Sequence, residues 1–253
     1  MNFKDCIDSY PFILMEGALG ERLKREFDLD ISGTVAMADL IYQQKGRMAL
    51  KTLWNEYMDI AHRYQLPFLA TTPTRRANKE RVYMAGYNES IITDNVDFLR
   101  TIKETANVNM YIGGLMGCKG DAYTSERALN QEEAIAFHSW QASLFKSVGV
   151  DFLYAGIMPV LSEAIGMAVA MSDTDIPYII SFTIQRNGKL IDGHTINDAI
   201  YYIDNHVSNK PVCYMTNCVH PDIVYEALSH KFNQTQMVKN RFWGIQANTS
   251  RLS

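Results

Sequence analysis

Seven short apolar runs alternate along this chain with longer amphipathic segments, and this alternation restricts the fold more than any other feature. The runs lie at residues 11–15, 67–72, 109–117, 150–155, 177–184, 211–217 and 241–248. Most are followed by a segment whose apolar residues recur at helical spacing, and no two are joined by a hairpin turn. This repetition predicts parallel strands, because parallel neighbours need a long crossover connection.

Two α/β architectures fit this pattern, an open doubly wound sheet and a closed (β/α)8 barrel. An open dinucleotide-binding sheet usually carries G-x-G-x-x-G after its first strand, whereas residues 16–20 read Glu-Gly-Ala-Leu-Gly. A barrel closes with eight strands, one more than the sequence provides. We therefore predict a TIM barrel in a single domain, residues 1–253, whose eighth βα unit is missing from this sequence.

Several glycines and prolines refine this prediction. The glycines of the third run indicate close approach of another group to the backbone at the end of that strand. Pro159 and Pro221 are predicted to lie in the first turn of a helix, where proline is favoured.

Composition excludes several classes of protein. Hydrophobic residues make up 47% of the chain and charged residues 21%, and the net charge is −4. Without a basic run, neither nucleic acid nor an anionic membrane surface is expected as a partner. The N-terminus lacks the pattern of a signal peptide, and no apolar stretch is long enough to span a membrane. The four cysteines show no paired spacing, which suits a reducing compartment, so we expect a cytoplasmic protein.

In a parallel barrel, catalytic and binding groups lie at the carboxyl ends of the strands. Those ends are Glu16–Gly17, Thr71–Thr72, Gly114–Cys118, Ala155–Gly156, Ser181–Thr183, Asn217–Cys218 and Asn248–Thr249. They supply a carboxylate, thiols, hydroxyls and amides, but no histidine, lysine or arginine. A Ser-His-Asp or Cys-His relay, a Schiff-base lysine and paired glycosidase carboxylates therefore find little support. His138, in a predicted helix, is expected to pack or face solvent rather than bind a metal.

Two of the cysteines stand in opposite settings. Cys213 lies in the middle of a predicted strand, where a thiol is typically a small buried apolar group. Cys218 follows a polar pair at the point where the strand leaves the core, and the helix beginning at Pro221 presents amides that favour a thiolate. Position alone leaves three roles open for Cys218: a buried space-filling group, a nucleophile or a metal ligand.

Seven segments, in order, carry a resemblance to a known family. They read ILMEGALGERLKR, LPFLATTPTRRAN, YIGGLMGCKGDAY, GVDFLYAGIMPVLSEAIGMA, PYIISFTIQRNGKLIDGHTINDAI, YMTNCVHPDIV and GIQANTS. The chain resembles the homocysteine S-methyltransferase family, the homocysteine-binding barrel domain shared by betaine- and folate-dependent methionine-forming enzymes. The resemblance implies transfer of a methyl group from a small-molecule donor to homocysteine or a related thiol, in methionine biosynthesis.

The resemblance also implies a zinc cofactor. In the family, three cysteine thiolates hold zinc, and coordination deprotonates a substrate thiol whose pKa is otherwise roughly 8.5 or above. Cys218 matches the first of these cysteines, which follows an asparagine at the end of strand six. The other two belong to a Gly-Gly-Cys-Cys motif at strand eight, which is absent here, and they are expected beyond Ser253.

The resemblance further implies which residues bind the substrate. Glu16 matches the family's usual aspartate and is expected to hold the substrate ammonium group, while Gly17 and Thr72 are expected to line the substrate. Gly156 stands where the family commonly has a second ammonium-binding glutamate. Because this second acid is missing, the resemblance leaves two acceptors open, homocysteine and a different thiol. The alternative function is a non-catalytic binding or assembly protein with a degenerate zinc site. A lyase using Glu16 as its base has less support, because no lysine or metal cluster accompanies it.

Overall fold

The structure, a computed structural model, describes residues 1–249, and the contacts between residues divide the chain into two compact units. The first unit comprises residues 1–116 and 143–153, and the second comprises residues 117–142 and those from 154 onward. Both units are therefore built from separate stretches of sequence. The expectation of a single domain over residues 1–253 stays a prediction.

The seven predicted strands are all present in the described part of the chain. They are β1 (Leu14–Met15), β2 (Phe68–Thr71), β3 (Met110–Gly117), β4 (Phe152–Met158), β5 (Tyr178–Phe182), β6 (Cys213–Val219) and β7 (Phe242–Ala247). Their order is the chain order, β1 to β7. In the first unit β1 pairs with β2 and β2 with β3, and in the second β5 pairs with β6 and β6 with β7, always in parallel. Parallel pairing is thus confirmed.

The strand bounds differ from the predicted ones, and three of the differences lie close to site residues. The first strand was expected at residues 11–15 but contains only Leu14 and Met15. The chain before Leu14 lies outside the sheet, where the Phe12 side chain is 72% exposed to solvent.

The fourth strand was expected to end at Ala155 but runs on to Met158, so Gly156 lies inside the strand rather than after it. The sixth strand was expected to end at Asn217 but runs on to Val219, so Cys218 lies inside it.

The described residues form ten α-helices and two short 3₁₀ helices. The α-helices are α1 (Phe3–Ser9), α2 (Leu19–Phe27), α3 (Gln44–Tyr64), α4 (Lys79–Met84), α5 (Ser90–Lys103), α6 (Gln131–Val148), α7 (Leu161–Ser172), α8 (Ile196–His206), α9 (Pro221–Ser229) and α10 (Gln236–Arg241); the 3₁₀ helices are Ala38–Tyr42 and Lys231–Asn233. Within residues 1–249, no helix combines the length and the apolar character that crossing a bilayer requires.

The two proline predictions have different outcomes. Pro221 does occupy the first turn of α9, as expected. Pro159 does not begin α7, because the helix starts at Leu161, whose N–H donates a 2.6 Å hydrogen bond to the carboxylate of Asp192. A side chain distant in sequence therefore satisfies the first amide of α7, and the proline stays outside the helix.

The N-terminal helix α1 was not predicted, and it contributes to the core of the first unit. The ring of Phe3 stacks on that of Phe152, with 4.7 Å between centroids, and meets Tyr111 edge-on at 5.8 Å. Cys6 is fully buried in the same core. Burial raises the pKa of the Cys6 thiol, which agrees with a structural role.

Two glycines in β3 allow aromatic rings to lie directly against the strand. A Cβ at Gly113 would lie 2.4 Å from Cζ of Phe152, and one at Gly114 would lie 2.6 Å from Cγ of Phe145. Separations this short do not occur for real side chains, so only glycine fits at these positions. Close approach to the third strand is thus present, but in the middle of β3 rather than at its end, where it was expected.

The last strand, β7, differs from the others because every second residue faces solvent. Trp243 and Ile245 are 55% and 41% exposed, whereas β2, β4 and β5 are buried along their whole length. Parallel strands are normally covered on both faces. One face of β7 is therefore apolar and uncovered in the described part of the chain.

Replacing Gly114 by alanine is expected to destabilise the protein, because the added methyl group would displace the ring of Phe145. Overpacking of this kind costs about 1–3 kcal/mol of the free energy of unfolding. The measurement is the urea midpoint, followed by far-UV circular dichroism.

The matched control is Gly33→Ala, since a Cβ there meets nothing within 4 Å and the change should stay below about 0.5 kcal/mol. Adding Phe145→Leu to Gly114→Ala should recover part of the loss, because the two positions are in contact. Strictly additive losses would contradict the proposed clash.

Candidate functional site

Glu16 is a buried carboxyl group at the carboxyl end of β1. Only 3% of the residue is exposed, and Thr71 donates to its Oε1 from both the backbone N–H, at 3.0 Å, and the side-chain hydroxyl. Burial raises the pKa of Glu16 to about 7, although the hydrogen bonds from Thr71 act in the opposite direction. A cation placed beside this carboxyl would favour its ionised form. The group is therefore suited to bind an ammonium.

Gly17 follows Glu16 and lies against a tyrosine of α3. A Cβ at Gly17 would be 3.0 Å from the hydroxyl oxygen of Tyr57. The Tyr57 ring stacks on Phe68 with 6.5 Å between centroids, and the guanidinium of Arg22 lies 5.4 Å from its centroid. The sequence gave no sign that Tyr57 lies beside Gly17.

Thr72 is also buried, but its contacts are different from those of Thr71. Its hydroxyl oxygen accepts a 3.1 Å hydrogen bond from the N–H of Leu115 and lies 2.7 Å from the hydroxyl oxygen of Thr74. The Thr74 hydroxyl in turn donates to the carbonyl of Leu115 at 2.8 Å. Thr72 therefore joins the ends of β2 and β3, and Thr71 is the threonine that contacts Glu16.

Cys218 lies near the end of β6, in the second unit, where pairing with β7 is irregular. The register shifts between Asn217 and Val219, and the φ angle of Cys218 is 58°. Such a bulge changes the direction in which a side chain leaves the strand. Asn248, just after β7, donates from its side-chain amide to the carbonyl of Cys218 at 2.9 Å and from its N–H to the carbonyl of Val219 at 3.1 Å. These bonds hold the irregular segment in place.

The amide of Asn217 connects Cys218 to β5. The hydroxyl of Ser181 donates to Oδ1 of Asn217 at 2.5 Å, and both side chains are buried. Because Oδ1 accepts this bond, the amide NH₂ is on the other side, with Nδ2 3.7 Å from the Cys218 sulfur. The sequence named Ser181 and Asn217 only as members of strand ends, and it did not predict their contact.

The two cysteines of β6 differ as expected. Cys213 is buried in the strand, and burial raises the pKa of its thiol to about 12, so it is a structural residue. Cys218 is only half-buried at the strand end. All four cysteines are free thiols, and Cys118 donates from its sulfur to the carbonyl of Gly120 at 3.6 Å.

Within residues 1–249, no group of three or more histidine, cysteine, aspartate or glutamate side chains is placed to hold a metal ion. A site built from three thiolates needs two more cysteines beside Cys218. The described residues alone therefore do not complete a zinc site, and Cys218 stands as a single candidate ligand.

Strand β4 contains an unusual backbone conformation next to Gly156. Ile157 is buried and has a φ angle of 65°. The left-handed region is unfavourable for a β-branched residue and costs of order 1–3 kcal/mol, so such residues often mark functional positions. The strain lies beside the position where the family resemblance places a second ammonium-binding acid.

One buried acid, Glu163 of α7, was not indicated by the sequence. Its carboxylate accepts hydrogen bonds from the N–H of Lys119 at 2.7 Å and from the N–H of Leu129 at 3.2 Å. The carboxylate also lies 3.1 Å from Nε2 of His138. His138 was expected either to pack in the interior or to face solvent, and it is buried. Glu163 thus anchors both ends of the loop that precedes α6.

The raised pKa of Glu16 predicts a pH-dependent stability. Its folded-state pKa of about 7 exceeds the usual 4.5, so the folded state binds the proton more tightly than the unfolded state does. The resulting destabilisation is absent below pH 4.5, grows as the pH rises, and reaches roughly 3 kcal/mol above about pH 7. Glu16→Gln removes this ionisation, so the variant should gain stability relative to the wild type over that interval, measured by urea unfolding at several pH values.

The control is Glu104→Gln, which changes an exposed acid of the same unit and should keep a constant offset from the wild type. A constant offset for Glu16→Gln would show that the buried carboxyl does not titrate as described.

Ser181→Ala should leave Oδ1 of Asn217 buried without its donor. Losing a partner in this way costs about 1–3 kcal/mol of the free energy of unfolding. Chemical denaturation of the two proteins measures the difference, and Ser229→Ala, which removes an exposed hydroxyl bonded within α9, should change stability by less than about 0.5 kcal/mol. Equal effects of the two substitutions would refute a special role for the Ser181 bond.

Comparison with known sequences gives a family match. A profile of the family described as "Homocysteine S-methyltransferase" matches residues 13–251. The homocysteine S-methyltransferase YbgG of Bacillus subtilis (strain 168) is 21% identical over 217 residues, which cover 79% of this chain and 67% of that protein.

Comparison with solved structures gives the homocysteine methyltransferase MmuM from Escherichia coli. Its metallated form has a TM-score of 0.76 at 17% identity and covers 98% of this chain and 96% of its own. Its oxidised form has a TM-score of 0.73 at 19% identity, covering 89% of this chain and 80% of its own. These likenesses confirm the fold class, an α/β barrel of the TIM type.

Proposed function

Because the chain belongs to the homocysteine S-methyltransferase family, we propose that it transfers a methyl group to the sulfur of homocysteine or a related thiol. The family makes the chain a methyltransferase. YbgG and MmuM are both named as homocysteine methyltransferases, which supports homocysteine as the acceptor. The corresponding role is methionine biosynthesis in the cytoplasm.

The observation that carries this proposal is the buried carboxyl of Glu16, which offers an acceptor amino acid a partner for its ammonium group. A charge-assisted hydrogen bond of this kind contributes about 1.5–3 kcal/mol. Gly17 and Thr72, adjacent to Glu16 and to Thr71, line the substrate in this proposal. The family resemblance implies two carboxylates that bind the ammonium, and Gly156 of β4 stands in place of one of them. Glu16 is therefore the one carboxylate that matches.

The reaction itself requires little acid–base chemistry. The acceptor sulfur, as a thiolate, attacks the methyl carbon of a small-molecule donor; a carbon–sulfur bond forms while the bond from the donor to that methyl group breaks. The product from homocysteine is methionine. The protein contributes mainly by holding the two reactants in line, in agreement with strand ends that provide hydroxyls, amides and one carboxylate but no histidine, lysine or arginine.

We further propose that zinc is the cofactor and that Cys218 is one of its ligands. Support comes from the half-buried position of Cys218, the bulge that redirects it, and the amide of Asn217 near its sulfur. MmuM is described in a metallated form. The proposal requires two further thiolates, which are expected beyond Ser253, and bound zinc would favour the thiolate form of a coordinated thiol.

Methyl transfer is tested by supplying homocysteine with S-methylmethionine, S-adenosylmethionine, betaine or methyl-folate and detecting methionine by mass spectrometry. We expect methionine from one donor, and Glu16→Gln should raise KM for homocysteine about tenfold or more with little change in kcat. If the folded full-length protein produced methionine from none of these donors, a non-catalytic binding protein would be favoured instead.

The metal proposal is tested by elemental analysis of the full-length gene product purified under reducing conditions. Cys218→Ser should lose both zinc and methyl transfer while retaining its circular dichroism spectrum. Cys213→Ala is the matched control, since it removes a buried structural thiol of the same strand and should keep its metal. Unchanged zinc content in Cys218→Ser would exclude Cys218 as a ligand.

A further inference from the structure

We propose that Thr71 is a positioning residue for the acceptor substrate, because it holds the carboxyl of Glu16 in the orientation that receives the substrate ammonium group. This inference rests on the proposed function, in which Glu16 binds that ammonium. The family resemblance pointed to the neighbouring Thr72, as a residue that lines the substrate, and gave no role to Thr71.

The geometry around Glu16 supports this role. Two donors of a single residue, the N–H and the hydroxyl of Thr71, converge on the same oxygen, Oε1. Both residues are almost fully buried, at 3% and 2% exposure. A carboxyl group bonded twice through one oxygen in a packed environment keeps one side-chain rotamer and one plane, which substrate binding requires.

The strand register explains why Thr71 can reach Glu16. Met15 of β1 is paired with Leu69 of β2, and the N–H of Glu16 donates to the carbonyl of Leu69 at 3.4 Å. Thr71 is therefore one step further along its strand than the position opposite Glu16. The Glu16 side chain is long enough to extend by this one residue along β2, so that its carboxyl contacts Thr71, the last residue of β2.

Thr71 also affects the charge of the site. Its two hydrogen bonds lower the pKa of Glu16, against the larger effect of burial, and the N–H of Glu16 itself acts in the same direction. On the neighbouring helix α3, the hydroxyl of Tyr57 lies beside Gly17. Loss of the Thr71 hydroxyl should therefore make the carboxyl harder to ionise and, at neutral pH, weaken binding of a cationic amino group.

Two substitutions separate the hydrogen bond from packing. Thr71→Val removes the hydroxyl but preserves the size of the side chain and the backbone N–H. Thr71→Ser keeps the hydroxyl and removes the methyl group. A role in packing alone predicts a larger effect of serine, whereas a role in orienting and charging Glu16 predicts a larger effect of valine.

The experiment measures binding of methionine, the expected product, by calorimetry between about pH 5.5 and about pH 8.5. Methionine carries the ammonium group but no thiol, so no thiol ionisation of the ligand overlaps that of Glu16. In the wild type we expect affinity to rise with pH around a midpoint near 7. Thr71→Val should shift that midpoint upward by about one unit and weaken binding about tenfold at neutral pH. Thr71→Ser should keep the wild-type midpoint.

Thr174→Val is the matched control, since it removes a buried hydroxyl that donates to the carbonyl of Met171 in the second unit. It should lower stability without moving the midpoint. Should Thr71→Val not fold, Thr71→Ala removes the same donor from a smaller side chain and should give the same upward shift.

The possible failures of the two proposals differ. If Glu16→Gln weakens methionine binding but the midpoint of Thr71→Val equals that of the wild type, the positioning role is overturned and the proposed function stands. Failure of the proposed function appears instead in the wild type, as absence of methyl transfer to homocysteine from every donor. A shifted midpoint in Thr71→Val with a normal one in Thr71→Ser supports the inference.

Discussion

Parallel pairing of neighbouring strands is the constraint on which the candidate site depends. In each unit it brings the carboxyl ends of successive strands to the same edge, so that residues distant in sequence become neighbours. Glu16 meets Thr71 in this way in the first unit, and Ser181 meets Asn217 in the second. Both contacts join the end of one strand to the end of the next, and both are buried. The polar groups of the site are thus held by the same pairing that builds the fold.

Most of the strands were predictable because a buried parallel strand forms a short, largely apolar run, as β2, β4 and β5 do. Helix boundaries were less predictable. The first residue of α7, Leu161, donates its N–H to the carboxylate of Asp192, a contact distant in sequence that no local pattern reveals. The same limit applied to the site. The sequence identified Glu16 and the pair Thr71–Thr72, but which threonine meets the carboxyl depends on strand register and side-chain rotamer, and these are properties of the folded chain.

Two strand residues of the second unit, Ile157 of β4 and Cys218 of β6, occupy the left-handed region although neither is a glycine. Such conformations persist only where surrounding contacts outweigh their cost. For Cys218 the contacts are visible, because Asn248 donates hydrogen bonds to the carbonyl groups of Cys218 and Val219. The direction of the thiol is therefore set by hydrogen bonds from the residue after β7 as well as by its own strand, so a substitution at Asn248 would alter the orientation of the Cys218 side chain.

The uncovered face of β7 has a consequence for handling the protein. Trp243 and Ile245 form an apolar strip on one face of β7, in a segment, FWGIQA, that contains neither a charge nor a proline. Segments with these properties readily add to strands of other molecules. A polypeptide that exposes this strip is expected to self-associate as its concentration rises, and mild detergent or a charged substitution at Trp243 would be the first remedies to try when preparing it.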